Sequence, residues 1–250
     1  MENISGKVGV ILAAGRGSRL KELSLEQPKP MIRVNDVTII SNLVQHLINS
    51  KVDTIVVIVG YMADRLKEHL SPFSSQANIV FVENEIFDKT NNIYSLWLAK
   101  NYLTNGFFLF EADVFIEEAI VQDFLKASQK DVMLVDKFTP DMNGTVVDFD
   151  SSKKVLGMYL NKDQGDNFSF DDKFKTVNFY KISASLANEF FLPRLDAHIS
   201  GKDTGSYYEV IIKEAIQNGY TFYAYETGKR KWYEIDTRAD LETAHRIFTS

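Results

Sequence analysis

The 250-residue chain contains no cysteine, which excludes disulfides, thiolate metal sites and a cysteine nucleophile. Its four histidines are scattered, with no pair at ligand spacing, which argues against a zinc site. No apolar run reaches the ~18 residues that a membrane-spanning helix needs. The polar stretch Met1 to Lys7 also lacks the apolar core of a secretory signal, so a cytoplasmic location is expected. Positive charge is in deficit, with a formal net charge of −6. General affinity for nucleic acid or membrane is therefore not expected, and any phosphate ligand must be met by locally placed cations. There is no internal repeat and no low-complexity tract. A hydrophobic fraction of 45% with 25% charged residues is that of an ordinary globular chain. The length suits a single domain, with room for a small lobe.

What is present is concentrated near the start. Val8 to Ala13 is a continuous apolar run of the kind that forms a buried parallel strand, and it breaks into Ala14-Gly15-Arg16-Gly17-Ser18-Arg19. A tight glycine loop directly after a buried strand lets backbone N–H groups approach phosphates. Arg16, Arg19 and Lys29, the last held between Pro28 and Pro30, add cations to the same place. The P-loop pattern G-x-x-x-x-G-K-[ST] is absent, and Leu20 stands where a dinucleotide fingerprint needs its third glycine. Gly15-x-Gly17 alone is a weak signal; with the flanking charges it calls for a polyphosphate.

The remaining pattern alternates. Thr38 to Ser50 carries one apolar helical face, Asp53 to Gly60 is a second buried strand, and a polar helix runs to about Leu70. Ile79 to Val82 is a third strand, and Asn91-Asn92 precedes a helix over Ile93 to Tyr102, where an asparagine either caps the helix or meets a ligand. The predicted architecture is α/β: a doubly wound, mostly parallel, Rossmann-like sheet with ligands beyond the strands' carboxyl ends. Gly106 to Phe110 is such a strand and runs out into Glu111-Ala112-Asp113, where an acid is either a turn residue or a magnesium ligand. A helix over Glu117 to Ser128 and a strand over Asp131 to Val135 follow. Residues 136–182 read as a β-rich insertion within the single domain, forming the acceptor side of the cleft. It comprises a hairpin (Thr145 to Phe149, Val155 to Leu160), a polar loop, and an alternating strand from Lys175 to Ile182. Helices near Ala184 to Leu195 and Tyr207 to Gln217 precede a strand at Thr221 to Glu226. The apolar segment ending in Asp236 leads into a final helix, and that aspartate has helix capping as its plain explanation. Phe107-Phe108 and Phe190-Phe191 suit either the core or the contact of a homodimer.

Taken in order, LAAGRGSRL, PKPM, NNIYSLWLAK, EAD, KTVNFYKIS and WYEIDTRADLETA span nearly the whole chain. They resemble the cytidylyltransferase branch of the sugar nucleotidyltransferase superfamily, which includes enzymes acting on phosphocholine and on 2-aminoethylphosphonate. The resemblance implies that Leu12, Ala13, Ala14 and Gly15 contact the nucleoside of CTP; Arg16, Gly17 and Asn92, from the loop and the helix start read above, complete the expected nucleotide site. It also implies that Arg19 and Lys29 hold phosphates, and that Asp113 and Asp236 bind Mg²⁺. Lys162 stands where sugar-activating relatives carry a second substrate lysine. The strand with Lys175, Asn178 and Tyr180 is polar and basic, and no aromatic stands near Asn143-Gly144-Thr145. This favours a phosphonate or phosphate acceptor bearing an amine, such as 2-aminoethylphosphonate, over phosphocholine, although Tyr180, Tyr207 and Tyr208 could form a partial cage. A sugar-1-phosphate thymidylyl- or uridylyltransferase and a non-catalytic nucleotide-binding regulatory subunit are the competing readings.

Overall fold

The apolar runs assemble into one nine-stranded sheet in the computed structural model, which describes residues 6–20 and 23–249. Most of the polar lead-in before Lys7 lies outside the described residues. Strand β1 (Val8–Ala13) ends in the glycine loop. A short helix α1 (Leu23–Glu26), a turn at Lys29–Met31 and a small hairpin, β2 (Arg33–Val34) with β3 (Val37–Thr38), follow. Helix α2 (Ile39–Asn49) is capped by Thr38, whose side chain accepts from Ser41 N, and it buries Ile40, Leu43, Val44 and Leu47. The alternation continues through β4 (Thr54–Val59), α3 (Ala63–Leu70), β5 (Asn78–Glu83) and α4 (Asn92–Leu98). Next come β6 (Phe107–Glu111), β7 (Val114–Ile116), α5 (Glu118–Leu125) and β8 (Val132–Lys137). A hairpin of β9 (Val146–Phe149) and β10 (Val155–Tyr159) precedes β11 (Phe174–Ile182). Helix α6 (Ala184–Leu186) passes through a π-type turn at Ala187–Phe191 into α7 (Leu192–Ser200). Pro193 follows directly on that π-type turn, in the first turn of α7. The chain closes with α8 (Glu209–Gln217), β12 (Tyr223–Glu226), β13 (Trp232–Glu234) and α9 (Arg238–Ile247).

The strand order is β10-β9-β11-β6-β1-β4-β5, with β8 and β12 attached beyond β11. Only β10 and β11 run against the others, so the sheet is mostly parallel. It is covered on both faces. Val56 and Ile58 of β4 point into the layer containing α4, α7 and α8, while Ile55, Val57 and Val59 point towards α2, α3 and α5. Phe107, Phe108 and Phe191 are buried in these layers, so core packing accounts for them. Among the described residues no helix is long and apolar enough to cross a membrane.

Two departures from simple alternation shape the site. The 136–182 stretch does not form a sheet of its own: β9 and β10 extend the central one. Strand β11 pairs with β9 at its start and with β6 at its end on the same edge, and its register with β8 shifts between Thr176 and Tyr180. Asn178 lies in that interval with φ +62, a left-handed conformation that asparagine tolerates better than most residues. The sheet is therefore split where the strand was expected to alternate. Secondly, β7 and β13 pair antiparallel, Val114 opposite Glu234, as a separate two-stranded ribbon. Three-residue strands are too short to show periodicity, and β7 was not anticipated.

His46 ties α2 to this ribbon, its Nε2 lying 3.0 Å from the Ile116 carbonyl. Burial pushes its pKa below the ordinary value, against smaller opposite effects from Ile116 and Glu118. The folded state thus disfavours the imidazolium, and below the unfolded pKa of about 6.5 the unfolded chain binds the extra proton. Stability is therefore lost as pH falls from ~7 towards 5. Thermal denaturation across that range should show a shallower decline for His46→Gln than for the wild type; parallel curves would contradict the assignment.

Candidate active site

The loop after β1 is shaped by one glycine in particular. Gly17 has φ +67, and a Cβ there would fall 2.7 Å from Cβ of Lys29. The loop can therefore lie against the lysine stem only without a side chain at this position. Gly15, in contrast, has open space around it and faces the cleft. Gly17→Ala is expected to destabilise the fold by about 1–3 kcal/mol. Gly15→Ala should leave the melting temperature within a degree or two of wild type and act on nucleotide affinity instead. Paired thermal melts and nucleotide titrations distinguish the two, and equal melting temperatures would refute the role given to Gly17.

Lys29 is buried at the centre of the site. Its Nζ donates to Asp113 Oδ2 at 2.9 Å and to Asp236 Oδ1 at 2.7 Å, and Arg19 donates to the same Asp236 oxygen at 2.8 Å. Burial opposes the lysine charge, but the two carboxylates outweigh it and hold the ammonium above its ordinary pKa. The β7–β13 ribbon brings the aspartates together: Asp113 precedes β7, Asp236 follows β13, and Ile235 N donates to the Asp113 carbonyl at 2.9 Å. Helix α9 is capped by Thr237 rather than by Asp236. Its side chain accepts from Asp240 N, and the Asp240 carboxylate accepts from Thr237 N. Asp236 is thereby left for the cleft.

The two carboxylates fit a hard cation. Asp113 Oδ1 is buried and among the described residues makes no hydrogen bond, so one oxygen of the pair is unspent. Among the described residues no group of three or more His, Asp or Glu forms a closed metal cage. That leaves room for the phosphate oxygens and waters with which Mg²⁺ usually completes its shell.

Two cavities meet at these residues. One of about 390 Å³ is lined by Leu12, Ala13, Ala14, Gly15, Gly17, Arg19, Lys29 and Asn92. The other, of about 650 Å³, opens over the split in the sheet and is lined by Asn143, Gly144, Thr145, Lys162, Lys175 and Asn178. Arg19, Glu111, Asp113, Tyr207 and Asp236 border both. Carboxylates dominate the second cavity, whose wall also holds Glu209 and Glu234. Burial pushes the Glu111, Glu209 and Glu234 carboxyls above their ordinary pKa, and the Asp113 charge adds to each. Their protein partners are Tyr208 Oη to Glu111 at 3.0 Å, Thr145 Oγ1 to Glu209 at 2.7 Å, and Lys175 Nζ to Glu234 at 3.2 Å.

The chain matches the nucleotidyl transferase family over residues 8–159, the half that carries the glycine loop, Lys29 and Asp113. The chain belongs to the nucleotidyl transferase family. A CMP-5'-(3-aminopropyl)phosphonate synthase of Streptomyces rubellomurinus is 28% identical over 244 residues, covering 96% of this chain but only 38% of the relative. A CTP:phosphoglutamine cytidylyltransferase of Campylobacter jejuni is 25% identical over 248 residues, covering 93% of this chain and 97% of its own. Among solved structures, CTP:phosphocholine cytidylyltransferase from Streptococcus pneumoniae superposes with a TM-score of 0.81 at 23% identity, covering 97% of this chain and all of that one. The likeness to that structure is one of fold.

In this nucleotidyl transferase most of the residues expected from sequence line one continuous cleft, but not all. Arg16 lies over the Tyr61 ring, 5.5 Å from its centroid, and is not among the lining residues. Asn92 lines the cleft while its Oδ1 accepts from Tyr208 N; Asn91 is the helix cap. Lys175 is buried and its ammonium is spent on the Thr176 carbonyl at 2.7 Å and on Glu234. Tyr180 and Tyr208 are wholly buried and line neither cavity, which leaves Tyr207 as the one aromatic on the acceptor side among the described residues. Lys181 points away, to the Ala127 and Gln129 carbonyls. The expected basic strand therefore contributes little free positive charge. Sequence reasoning passed over Glu111, Glu209 and Glu234. The first and last follow the same strand-end rule that picks out Asp113 and Asp236, whereas Glu209 reads only as the first residue of a helix.

Proposed function

We propose that this nucleotidyl transferase transfers CMP from CTP to a small acceptor that carries a phosphonate or phosphate and an amine, releasing pyrophosphate. The observation that carries this reading is the junction of the two cavities at Arg19, Asp113 and Asp236. A nucleoside triphosphate on the glycine loop and an acceptor over the split sheet would meet there. Relatives named for cytidylyl transfer to a phosphonate and to phosphoglutamine, each aligned over more than nine-tenths of this chain, support it. A single aromatic in the acceptor cavity favours 2-aminoethylphosphonate or a similar amine over phosphocholine, whose trimethylammonium group calls for an aromatic cage.

An acceptor phosphonyl or phosphoryl oxygen is already anionic, so it needs no general base. It forms a bond to the α-phosphorus as the bond to the β-phosphate oxygen breaks, and no covalent enzyme intermediate is required. The chain's contribution is positioning and charge. Backbone N–H groups around Gly15 and Gly17 face the phosphates, and Lys29 and Arg19 hold the departing pyrophosphate. Asp113 and Asp236 would hold Mg²⁺, which when bound neutralises charge on the phosphate oxygens.

The test is pyrophosphate release with CTP, UTP, dTTP and ATP against 2-aminoethylphosphonate, phosphoethanolamine, phosphocholine, a phosphorylated amino acid and glucose-1-phosphate, with and without EDTA. Release with CTP and an amine-bearing acceptor, abolished by EDTA and restored by Mg²⁺, is expected. Release only with UTP or dTTP and the sugar phosphate would replace this reading with a sugar-1-phosphate transferase. CTP binding without turnover would favour a nucleotide-binding regulatory subunit.

A further inference from the structure

The acceptor cavity holds more carboxylate than the proposed reaction uses. Asp113 and Asp236 suffice for a cation, yet Glu111, Glu209 and Glu234 line the same wall. Each of the three spends one oxygen on a protein donor, from Tyr208, Thr145 and Lys175 in turn. Among the described residues no donor meets the second oxygen of any of them. Arg19 and Lys162 line the same cavity and can meet a phosphonate or phosphate, whereas the glutamate wall calls for positive charge elsewhere on the same ligand.

A second observation points the same way. Asn178 is 8% exposed and lines this cavity. Its backbone sits at φ +62 in the interval where β11 leaves its regular register. The Thr176 hydroxyl lies 2.9 Å from Asn178 Oδ1 and 3.1 Å from the Thr145 carbonyl, and among the described residues the other end of the Asn178 amide meets no partner. An amide held in a strained backbone, buried and half unpaired, is the arrangement expected of a ligand contact.

We propose that the acceptor cavity is a bipolar seat. Glu111, Glu209 and Glu234 receive the N–H donors of a primary ammonium, and the Asn178 amide donates to the phosphonyl or phosphoryl oxygen at the other end of the same molecule. This rests on the acceptor class proposed above and assigns the residues that read it. A primary ammonium offers three N–H donors to the three free oxygens. A trimethylammonium offers none and is too broad to approach them, and Tyr207 alone cannot enclose it. The wall thus selects by hydrogen bonding, which rejects an analogue lacking the donor more strongly than an apolar pocket rejects an extra methyl.

The experiment uses the full chain with Mg²⁺ and CTP and a graded acceptor series: 2-aminoethylphosphonate, its N-methyl, N,N-dimethyl and N,N,N-trimethyl forms, and ethylphosphonate. For the wild type kcat/KM should fall along the series, by about 10-fold or more from primary to quaternary amine, carried by KM. Glu209→Gln keeps the bond from Thr145 and removes the charge. It should raise KM for the primary amine about 10-fold while changing the ethylphosphonate value less than about threefold. Asn178→Asp should weaken every acceptor, ethylphosphonate included. Calorimetric binding of the same ligands reads the seat without turnover. Binding that favours the primary amine with no cytidylyl transfer would leave the seat and overturn the reaction. Transfer to the trimethyl form as efficient as to the primary amine would leave the reaction and overturn the seat, as would equal losses for both acceptors in Glu209→Gln.

Discussion

Lys29→Met is expected to lower kcat/KM by about two to three orders of magnitude and to lower the melting temperature as well. Both effects follow from one geometry. The ammonium sits between Asp113 and Asp236 at 2.9 and 2.7 Å, and the lysine and both aspartates have little access to solvent. Removing one partner of such a buried group leaves carboxylates uncompensated, which typically costs 3–5 kcal/mol, about the scale for a well-buried pair. Arg19 cannot make up the loss, because it is largely exposed and among the described residues reaches Asp236 but not Asp113. Loss of a positioned cation at a transferring phosphate costs ~3 kcal/mol or more in the transition state. Lys29→Arg should restore stability better than activity, since the wider guanidinium must share the space in which Gly17 packs on the lysine stem. Steady-state kinetics well below the melting temperature separate the two effects. Turnover within about fivefold of wild type, measured on folded Lys29→Met, would contradict the role given to Lys29.

Asp113→Asn should have a smaller effect on stability and an equal one on turnover. The Asp113 charge pushes up the pKa of Glu111, Glu209 and Glu234, so removing it relieves repulsion in the acceptor wall. The melting temperature should fall less than in Lys29→Met, because this relief offsets part of the lost attraction to Lys29, which keeps Asp236. The asparagine cannot bind a divalent cation as a carboxylate does, so kcat should fall by about 10²–10³, with a rise in the Mg²⁺ concentration needed for half-maximal rate. A variant that keeps most of its stability but is nearly inactive separates the role of this carboxylate in function from its role in the fold. If Asp113→Asn retained turnover within a few-fold, the metal assignment would be wrong; if it melted as low as Lys29→Met, the repulsion argument would fail.

The parallel half of the sheet was legible from sequence because its signals are long. β1 is apolar throughout and β4 from Ile55 to Val59, and α2 carries five buried residues on one face. The glycine loop was legible because a buried strand followed by glycines and cations has few other uses. Three features were not legible. The β7–β13 ribbon is made of three-residue strands, yet it brings Asp113 and Asp236 together. The bulge that presents Asn178 reads in sequence as ordinary alternation, because its cause is that β9 and β6 share one edge of β11. The acidity of the acceptor wall depends on which glutamates share a cavity, and only the packing of α8 beside the split sheet brings Glu209 there. Lys175 was misread for the same reason: its charge is real but is already taken by Glu234.

The central claim is that the α-phosphorus of CTP is joined to an acceptor oxygen within this cleft. Phosphorus-31 NMR of the wild-type protein with CTP, Mg²⁺ and 2-aminoethylphosphonate tests it most directly. A pair of mutually coupled phosphorus signals from a new P–O–P linkage, growing in step with pyrophosphate, is expected. Formation of CMP and pyrophosphate without the coupled pair, or an unchanged CTP spectrum in the presence of every amine-bearing acceptor, would contradict it.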